Sequence, residues 1–168
     1  MDSATLRVRR SIQWTRAAPA RAEGWRLVVR KPSLLGIAAG AMATIVADAG
    51  AQVWGVLYEI TADDLEHLEL TEGVRIGHYD RTAIDVQTTI DWSGAASRMV
   101  EAVTLTSDVE ESLLRPTSRY MELLLAGAAE HGLPKEWIET LGRIETDPES
   151  EEAAAIRPLL DDAMKKHS

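Results

Sequence analysis

The sequence predicts an α+β protein in which strands come first and helices follow. Between Trp25 and Thr106, short runs of apolar and β-branched residues are separated by turns containing glycine, proline, aspartate or serine. After Pro116, apolar residues recur at helical spacing, with residues that start and stop helices. Strands followed by helices, rather than strict alternation, indicate helices packed around one mixed sheet or small β-barrel.

The first part of the chain carries one clear strand. Leu6 to Ala20 shows little strand pattern and is expected to form a short helix or an ordered loop. Trp25 to Arg30 alternates apolar and basic residues, which predicts a strand. Lys31 to Gly40 contains one proline and two glycines and is predicted to be a loop.

The next segment predicts two strands joined by a turn. Ala43 to Ala47 is a short strand, and Asp48 to Ala51 is a turn in which Gly50 can take a positive φ. Val53 to Ile60 is apolar on both faces and is therefore expected at the centre of the sheet.

A short helix is predicted to follow directly. Thr61 is a favourable N-cap, and Asp63 and Asp64 lie in the first turn, where the helix dipole favours anions. Gly73 is expected to stop this helix in the left-handed conformation.

The rest of the chain predicts two strands and then helices. The strands cover Tyr79 to Ile90 and Ser97 to Thr106, with a turn from Asp91 to Ala96. The predicted helices are Ser118 to Glu130 with a stop at Gly132, one that begins near Pro134 and passes Leu141, and Ser150 to Lys166.

Composition excludes several classes of protein. Hydrophobic residues make up 45% and charged residues 27%, which is ordinary for a globular domain. There is no cysteine and no apolar run of 18 residues, so neither a disulfide framework nor a membrane span is predicted. No secretory signal is predicted, and a cytoplasmic location is expected. The net charge of −9 argues against a nucleic-acid partner, and the bases of residues 1–31 are expected on the solvated surface of a first helix.

Few residues suggest chemistry on their own. The four histidines (His67, His78, His131 and His167) lack metal-site spacing and are expected in loops or on the surface. Glu72 lies between the short helix and a glycine, where a carboxylate can point into the end of a sheet and move protons. From the residues alone, a solvated acidic helix face is the favoured interpretation of Glu72.

An ordered set of motifs favours a different interpretation of Glu72. Val53-Trp54-Gly55-Val56-Leu57-Tyr58-Glu59 is followed by Glu72-Gly73-Val74, Tyr79, Ser118-Arg119-Tyr120 and Gly132-Leu133-Pro134. In this order and spacing, the chain from about Pro19 to Ile144 resembles the γ-glutamylcyclotransferase-like (AIG2-like) family. The resemblance implies a small mixed barrel with flanking helices over residues 1–144. The acidic residues that follow predict a C-terminal helix or tail over 145–168.

The resemblance also implies an activity. Enzymes of this family convert γ-glutamyl amines or dipeptides to 5-oxoproline and a free amine. Glu72 matches the catalytic glutamate, a general acid/base, while Tyr79, Tyr120 and Gly73 match residues that bind substrate. Neither a metal nor an organic cofactor is implied, and the expected partner is a small γ-glutamyl compound bound by a monomer or homodimer.

The chain departs from the family at its start. Nothing resembles the Tyr-Gly-Ser-Asn-Met-like loop that binds the γ-glutamyl head in the family. Met1 occupies the place of the methionine of that loop, so the expectation is that Met1 is internal to a longer natural product. Two alternatives stay open, namely related acyl chemistry on the same fold and a non-catalytic or inactive binding module.

Overall fold

Two long antiparallel strands form the centre of the fold. The computed structural model describes residues 3–33, 40–88, 99–163 and 165. In it, β1 (Trp14–Pro32) pairs with β2 (Ala41–Ile60) from one end to the other. Together these strands make a long two-stranded ribbon to which the other elements attach.

The length of this ribbon corrects the sequence prediction. The prediction of a short helix or loop from Leu6 to Ala20 agrees with the π-helix at Thr5–Arg9, but residues 14–20 form the start of β1. The strand was missed because its buried positions are the small residues Ala18, Ala20 and Ala22, which give a weak hydrophobic pattern.

The predicted turn inside β2 is a bulge. Glu23 pairs with Gln52 and Trp25 pairs with Ala47, so residues 48–51 of β2 lie opposite Gly24 alone. Gly24 takes the positive φ, at 76°, and Gly50 does not, which corrects the expectation for Gly50. The two predicted strands of this segment are therefore one strand that continues through an irregularity.

The remaining strands extend the ribbon into a four-stranded sheet within the described residues. β3 (Asp80–Thr88) pairs with β4 (Met99–Thr106), and β1 contacts β3 through Ala20 and Arg21. The strand order is β2-β1-β3-β4, and these pairs are antiparallel. The predicted turn at 91–96 and most of the predicted loop at 31–40 lie outside the described residues.

Four helices flank the sheet in the described part of the chain, and the predicted α+β fold class is confirmed. A 3-10 turn at Val74–Ile76 follows the first of them. The helices are α1 (Ala62–Thr71), α2 (Ser118–Glu130), α3 (Lys135–Gly142) and α4 (Glu151–Ala163). Across the described residues, none is long and apolar enough to cross a membrane.

The core lies between the ribbon and the helices. One cluster joins Val29 of β1 to Met121 and Ala128 of α2 and to Leu133 and Leu141 around α3. A second cluster joins residues of three strands, with half-buried tryptophans at its margin. Its buried members are Ala20, Ala22, Val53 and Val86.

Candidate active site

Glu72 is placed by the end of α1. The Thr61 hydroxyl accepts a hydrogen bond from the Asp64 N–H at 3.1 Å and caps the helix N-terminus. At the other end, Glu72 is the C-cap residue, and its N–H donates to the Leu68 carbonyl at 2.9 Å. The predicted cap and stop are thus confirmed, and they fix Glu72 where the helix meets the 3-10 turn.

Arg10 is the ion-pair partner of Glu72. Its Nη1 lies 2.5 Å from Glu72 Oε1, and the two side chains are only 14% and 21% exposed. The same nitrogen donates to the Thr71 hydroxyl at 3.2 Å. A cation at a helix C-terminus is favourable, so Arg10 offsets both the carboxylate and the helix dipole. The expectation that the N-terminal bases are all solvated is wrong for Arg10.

Gly73 shapes the loop that follows Glu72. Its φ is +75°, which favours glycine, and its carbonyl accepts hydrogen bonds from the N–H groups of Ile76 and His78 at 3.1 and 3.0 Å. A Cβ at this position would lie 3.0 Å from the Cβ of His78. Gly73 therefore acts through the backbone, by packing the loop tightly beside Glu72.

Tyr79 and Tyr120 hold the same backbone unit. The Tyr79 hydroxyl donates to the Ala43 carbonyl at 2.9 Å, and the Ala43 N–H donates to the Tyr120 hydroxyl oxygen at 3.0 Å. Burial raises the pKa of Tyr79 above its ordinary value and raises the pKa of Tyr120 to about 12. Both hydroxyls therefore stay neutral near pH 7, and the nearby charge of Glu72 favours this further.

Beneath these residues lies a buried lysine that the sequence reading missed. Lys31 is 1% exposed, and its Nζ lies 2.7 Å from His78 Nε2, 3.2 Å from the Pro32 carbonyl and 4.2 Å from the centre of the Tyr79 ring. Burial lowers the pKa of Lys31, while the charge of Glu72 opposes that change. Lys31 thus places a second cation on the inner side of the Glu72 site.

His78 is the hydrogen-bond partner of this lysine. Burial, and then the charge of Lys31, lower the pKa of His78 below its ordinary value. A neutral imidazole can accept the proton that Lys31 offers, which an imidazolium cannot. The expectation of a surface or loop histidine is therefore incomplete, since His78 is half-buried against Lys31 and Tyr79.

The structure brings the predicted carboxylate and tyrosines together and adds three groups. Glu72 interacts electrostatically with both tyrosine hydroxyls, which come from the residue directly before β3 and from α2. The added groups, Arg10, Lys31 and His78, come from the N-terminal turn, β1 and the loop before β3. The site thus combines a half-buried carboxylate, an arginine paired with it and two phenols that burial keeps neutral.

Neither a metal centre nor a second enclosed site is evident in the described part of the chain. Within the described ranges, no group of three or more histidine or carboxylate side chains converges as metal ligands would. A cleft of about 520 Å³ lies along residues 26–30 of β1 and residues 112–116, and it contains none of the predicted site residues. Its arginines and glutamates form an open surface without a buried ionisable group.

The fold and this site define a γ-glutamylcyclotransferase-like protein. A structure described as a γ-glutamyl cyclotransferase superimposes with a TM-score of 0.73 at 26% identity, covering 94% of this chain and 92% of the other. The crystal structure of an uncharacterized protein from Homo sapiens gives a TM-score of 0.67 at 29% identity, covering 83% and 84%.

Sequence comparison gives the family. A sequence model of the AIG2-like family matches residues 52–141, more than half of the chain, and the chain belongs to this family. A γ-glutamylcyclotransferase of Mus musculus is 30% identical over 129 residues, and one of Bos taurus is 28% identical over 127. Each match covers 76% of this chain and 62% of the relative, so the chain spans under two thirds of these relatives' length.

Proposed function

We propose that this protein converts a γ-glutamyl amine or dipeptide to 5-oxoproline and a free amine. Glu72 takes a proton from the α-ammonium of the substrate, and the freed amine attacks the γ-carbonyl carbon. A new bond joins the α-nitrogen to that carbon, and the attacking nitrogen then releases its second proton to solvent. Glu72 returns the first proton to the leaving nitrogen as its bond to the carbon breaks, which gives the free amine and 5-oxoproline. The proposed partner is thus a small molecule, and the proposed setting is the cytoplasm.

The placement of Glu72 is the observation that carries this proposal. It is a half-buried carboxylate with one oxygen paired to Arg10, between a rigid helix end and a glycine-shaped loop. One carboxylate is enough for the reaction, because the attacking amine and the γ-carbonyl belong to one molecule. Holding that molecule in a ring-like pose supplies the proximity that catalysis needs.

Tyr120 is the proposed donor to the γ-carbonyl oxygen. Its oxygen already accepts a hydrogen bond from the Ala43 N–H, and no residue in the described part of the chain accepts its proton. A neutral phenol can donate that proton to an oxygen on which negative charge develops. Tyr79 differs, because its proton is used by the Ala43 carbonyl, so we propose that Tyr79 shapes the pocket wall.

Measuring 5-oxoproline release from γ-glutamyl dipeptides and γ-glutamyl amines tests the proposal. We expect turnover by the wild type and a loss of about 10²- to 10⁴-fold in kcat for Glu72→Gln, the range that general acid–base catalysis contributes. Glu59→Gln is the matched control, since Glu59 also pairs with an arginine but lies in the exposed end of the ribbon.

The outcomes separate the open alternatives. Release by the wild type that Glu72→Gln preserves would remove Glu72 from its proposed role. No release from any γ-glutamyl compound, by a protein with a cooperative thermal transition, would favour a non-catalytic binding module. Equal losses in Glu72→Gln and Glu59→Gln would point to a general structural effect and contradict the site assignment.

A further inference from the structure

Arg10 uses only part of its hydrogen-bonding capacity. Its ion pair with Glu72 and its hydrogen bond to Thr71 both use Nη1. Nε and Nη2 make no hydrogen bond to any residue that the structure describes, and the side chain keeps 14% of its surface exposed. Guanidinium presents five donors in a planar fork, so one edge of Arg10 is open to a second acceptor.

The shape of this fork indicates the chemistry of that acceptor. A carboxylate matches the two parallel N–H groups of a guanidinium edge and binds them bidentately. Within this same molecule, Arg16 binds Glu59 in that way, with Nε and Nη2 lying 2.8 and 2.9 Å from the two carboxylate oxygens. Arg10 can make the same arrangement with a carboxylate supplied by a ligand.

The Arg10–Glu72 pair is complementary to an amino-acid head group. An α-ammonium and an α-carboxylate are attached to one carbon, so they present opposite charges side by side. If the ammonium approaches Glu72 and the carboxylate approaches Arg10, each charge on the protein keeps an opposite partner. This exchange avoids the large cost of leaving a half-buried charge unpaired.

We propose that Arg10 binds the α-carboxylate of the γ-glutamyl group while Glu72 takes its α-ammonium. This inference rests on the proposed function and names the part of the substrate that the site selects. Arg10 lies outside residues 52–141, the segment matched by the family model, so nothing in that match assigns it. The role makes Arg10 a substrate-binding residue and explains why the ion pair uses one nitrogen.

Lys31 is the other cation near Glu72, and it does not fit this role. It is 1% exposed and its ammonium is occupied by His78, the Pro32 carbonyl and the face of Tyr79. A ligand carboxylate would have to displace these contacts and enter the core. Arg10 is reachable from solvent without any such change.

A change to the substrate tests the proposal without disturbing the fold. We compare γ-glutamylalanine with the same compound carrying an α-carboxamide on its glutamyl group. A charged hydrogen-bonded contact is worth about 10- to 100-fold, so the wild type should prefer the carboxylate by about that factor in kcat/KM. Since the amide also changes amine basicity, the decisive quantity is how this preference changes between variants.

Variants at Arg10 test whether this side chain binds the α-carboxylate of the substrate. Arg10→Gln should raise KM for γ-glutamylalanine. It should also reduce the preference for the α-carboxylate over the α-carboxamide to the part that the difference in amine basicity explains. Arg10→Lys should restore part of this preference. Arg16→Gln, in the exposed pair, should keep the full preference. An Arg10→Gln protein with wild-type thermal stability and the full preference would overturn the proposal.

A binding measurement separates failure of this inference from failure of the proposed function. Calorimetric titration compares 5-oxoproline, which carries the carboxylate, with 2-pyrrolidinone, which lacks it. Binding of 5-oxoproline that Arg10→Gln weakens about 10-fold or more and Arg16→Gln retains supports Arg10, even in a protein without turnover. Equal binding by wild type and Arg10→Gln, or no binding by the wild type, overturns the inference whatever the activity.

Discussion

Two arginine–glutamate pairs in different regions of this molecule have nearly opposite character. In the exposed end of the ribbon, Arg16 and Glu59 are 44% and 45% exposed and meet through two parallel hydrogen bonds. Thr15 adds a third hydrogen bond to Glu59, and the hydrogen bond from Arg16 is the main cause that lowers the pKa of Glu59 to about 2. At the end of α1, Arg10 and Glu72 are far less exposed and meet through one nitrogen.

The difference shows that complete geometry and functional availability are separate properties. The exposed pair is saturated, so it joins β1 to β2, and its contribution to stability is small because water and salt screen it. The half-buried pair is incomplete, so both partners can accept a ligand while remaining compensated. Unused hydrogen-bonding capacity in a half-buried place, rather than the geometry of the ion pair, is what distinguishes the proposed site from the exposed pair.

Among the variants that compare these two regions, we expect the largest change in kcat from removing a tyrosine hydroxyl. Tyr120→Phe removes the proposed donor to the γ-carbonyl oxygen, so kcat should fall by about 10²- to 10³-fold, the range for one oxyanion donor. It also leaves the Ala43 N–H without its partner, which costs about 1–3 kcal/mol of unfolding free energy. Steady-state kinetics and urea denaturation measure the two effects.

The matched variant lies in the ribbon. Tyr58→Phe removes a hydroxyl that lies 2.9 Å from His131 Nε2. Tyr58 belongs to β2, so this variant tests the loss of a tyrosine hydroxyl away from the proposed site. We expect kcat within about twofold of wild type, since no transition-state contact is lost. A Tyr120→Phe enzyme with unchanged kcat would show that another group stabilises the carbonyl oxygen.

A smaller effect is expected from two glycines with the same backbone conformation. Gly73 and Gly24 have φ of +75° and +76°, so alanine at either position costs about 1–2 kcal/mol in the left-handed region. At Gly73 the new Cβ would also lie 3.0 Å from the Cβ of His78, whereas nothing lies within 4 Å at Gly24. Gly73→Ala should therefore destabilise more, and it alone should lower kcat by moving Glu72.

Urea denaturation and the 5-oxoproline assay on both variants measure this difference. An equal loss of unfolding free energy in the two variants would show that the loop of Gly73 accommodates the new Cβ and is not tightly packed. Lower kcat in Gly24→Ala would show that the ribbon bulge is coupled to the site, which contradicts the separation of the two regions.

Local signals allowed much of this molecule to be predicted from its sequence. Thr61 and Gly73 mark the two ends of α1 as predicted, and α2 covers the predicted residues Ser118–Glu130. These elements depend on caps and periodicity within a few residues. Glu72 was singled out at such a boundary, and the resemblance to a family added Tyr79 and Tyr120.

The missed parts depend on contacts between residues far apart in the chain. The first half of β1 has alanines at its buried positions, so only pairing with β2 makes it a strand. Arg10 is one of eight bases in the first 31 residues, and no local pattern separates it from the exposed ones. Lys31 likewise became notable only once the fold buried it against His78 and Tyr79.

The smallest expected effect concerns the pH dependence of stability on the inner side of the site. The pKa of His78 is lowered by burial and by Lys31, against a smaller opposing effect of Glu72, with Tyr79 packed edge-on against its ring. Its stabilising contribution is complete above its ordinary pKa of about 6.5 and is lost as pH falls through the lower folded value. His78→Asn, whose amide oxygen can still accept from Lys31, should make the loss of stability below pH 6.5 shallower.

The ribbon supplies the control for this last comparison as well. The pKa of Glu59 is lowered to about 2, so its contribution is present above its ordinary value and is lost only as pH falls below about 4.5. Glu59→Gln should therefore leave the slope of unfolding free energy between pH 5 and 7 unchanged, while changing it at more acidic pH. Urea denaturation at several pH values distinguishes the two groups, because the half-buried site should respond to pH in a range where the exposed pair does not. An unchanged slope in His78→Asn would mean that His78 titrates alike in the folded and unfolded chain, and that Lys31 does not hold it neutral.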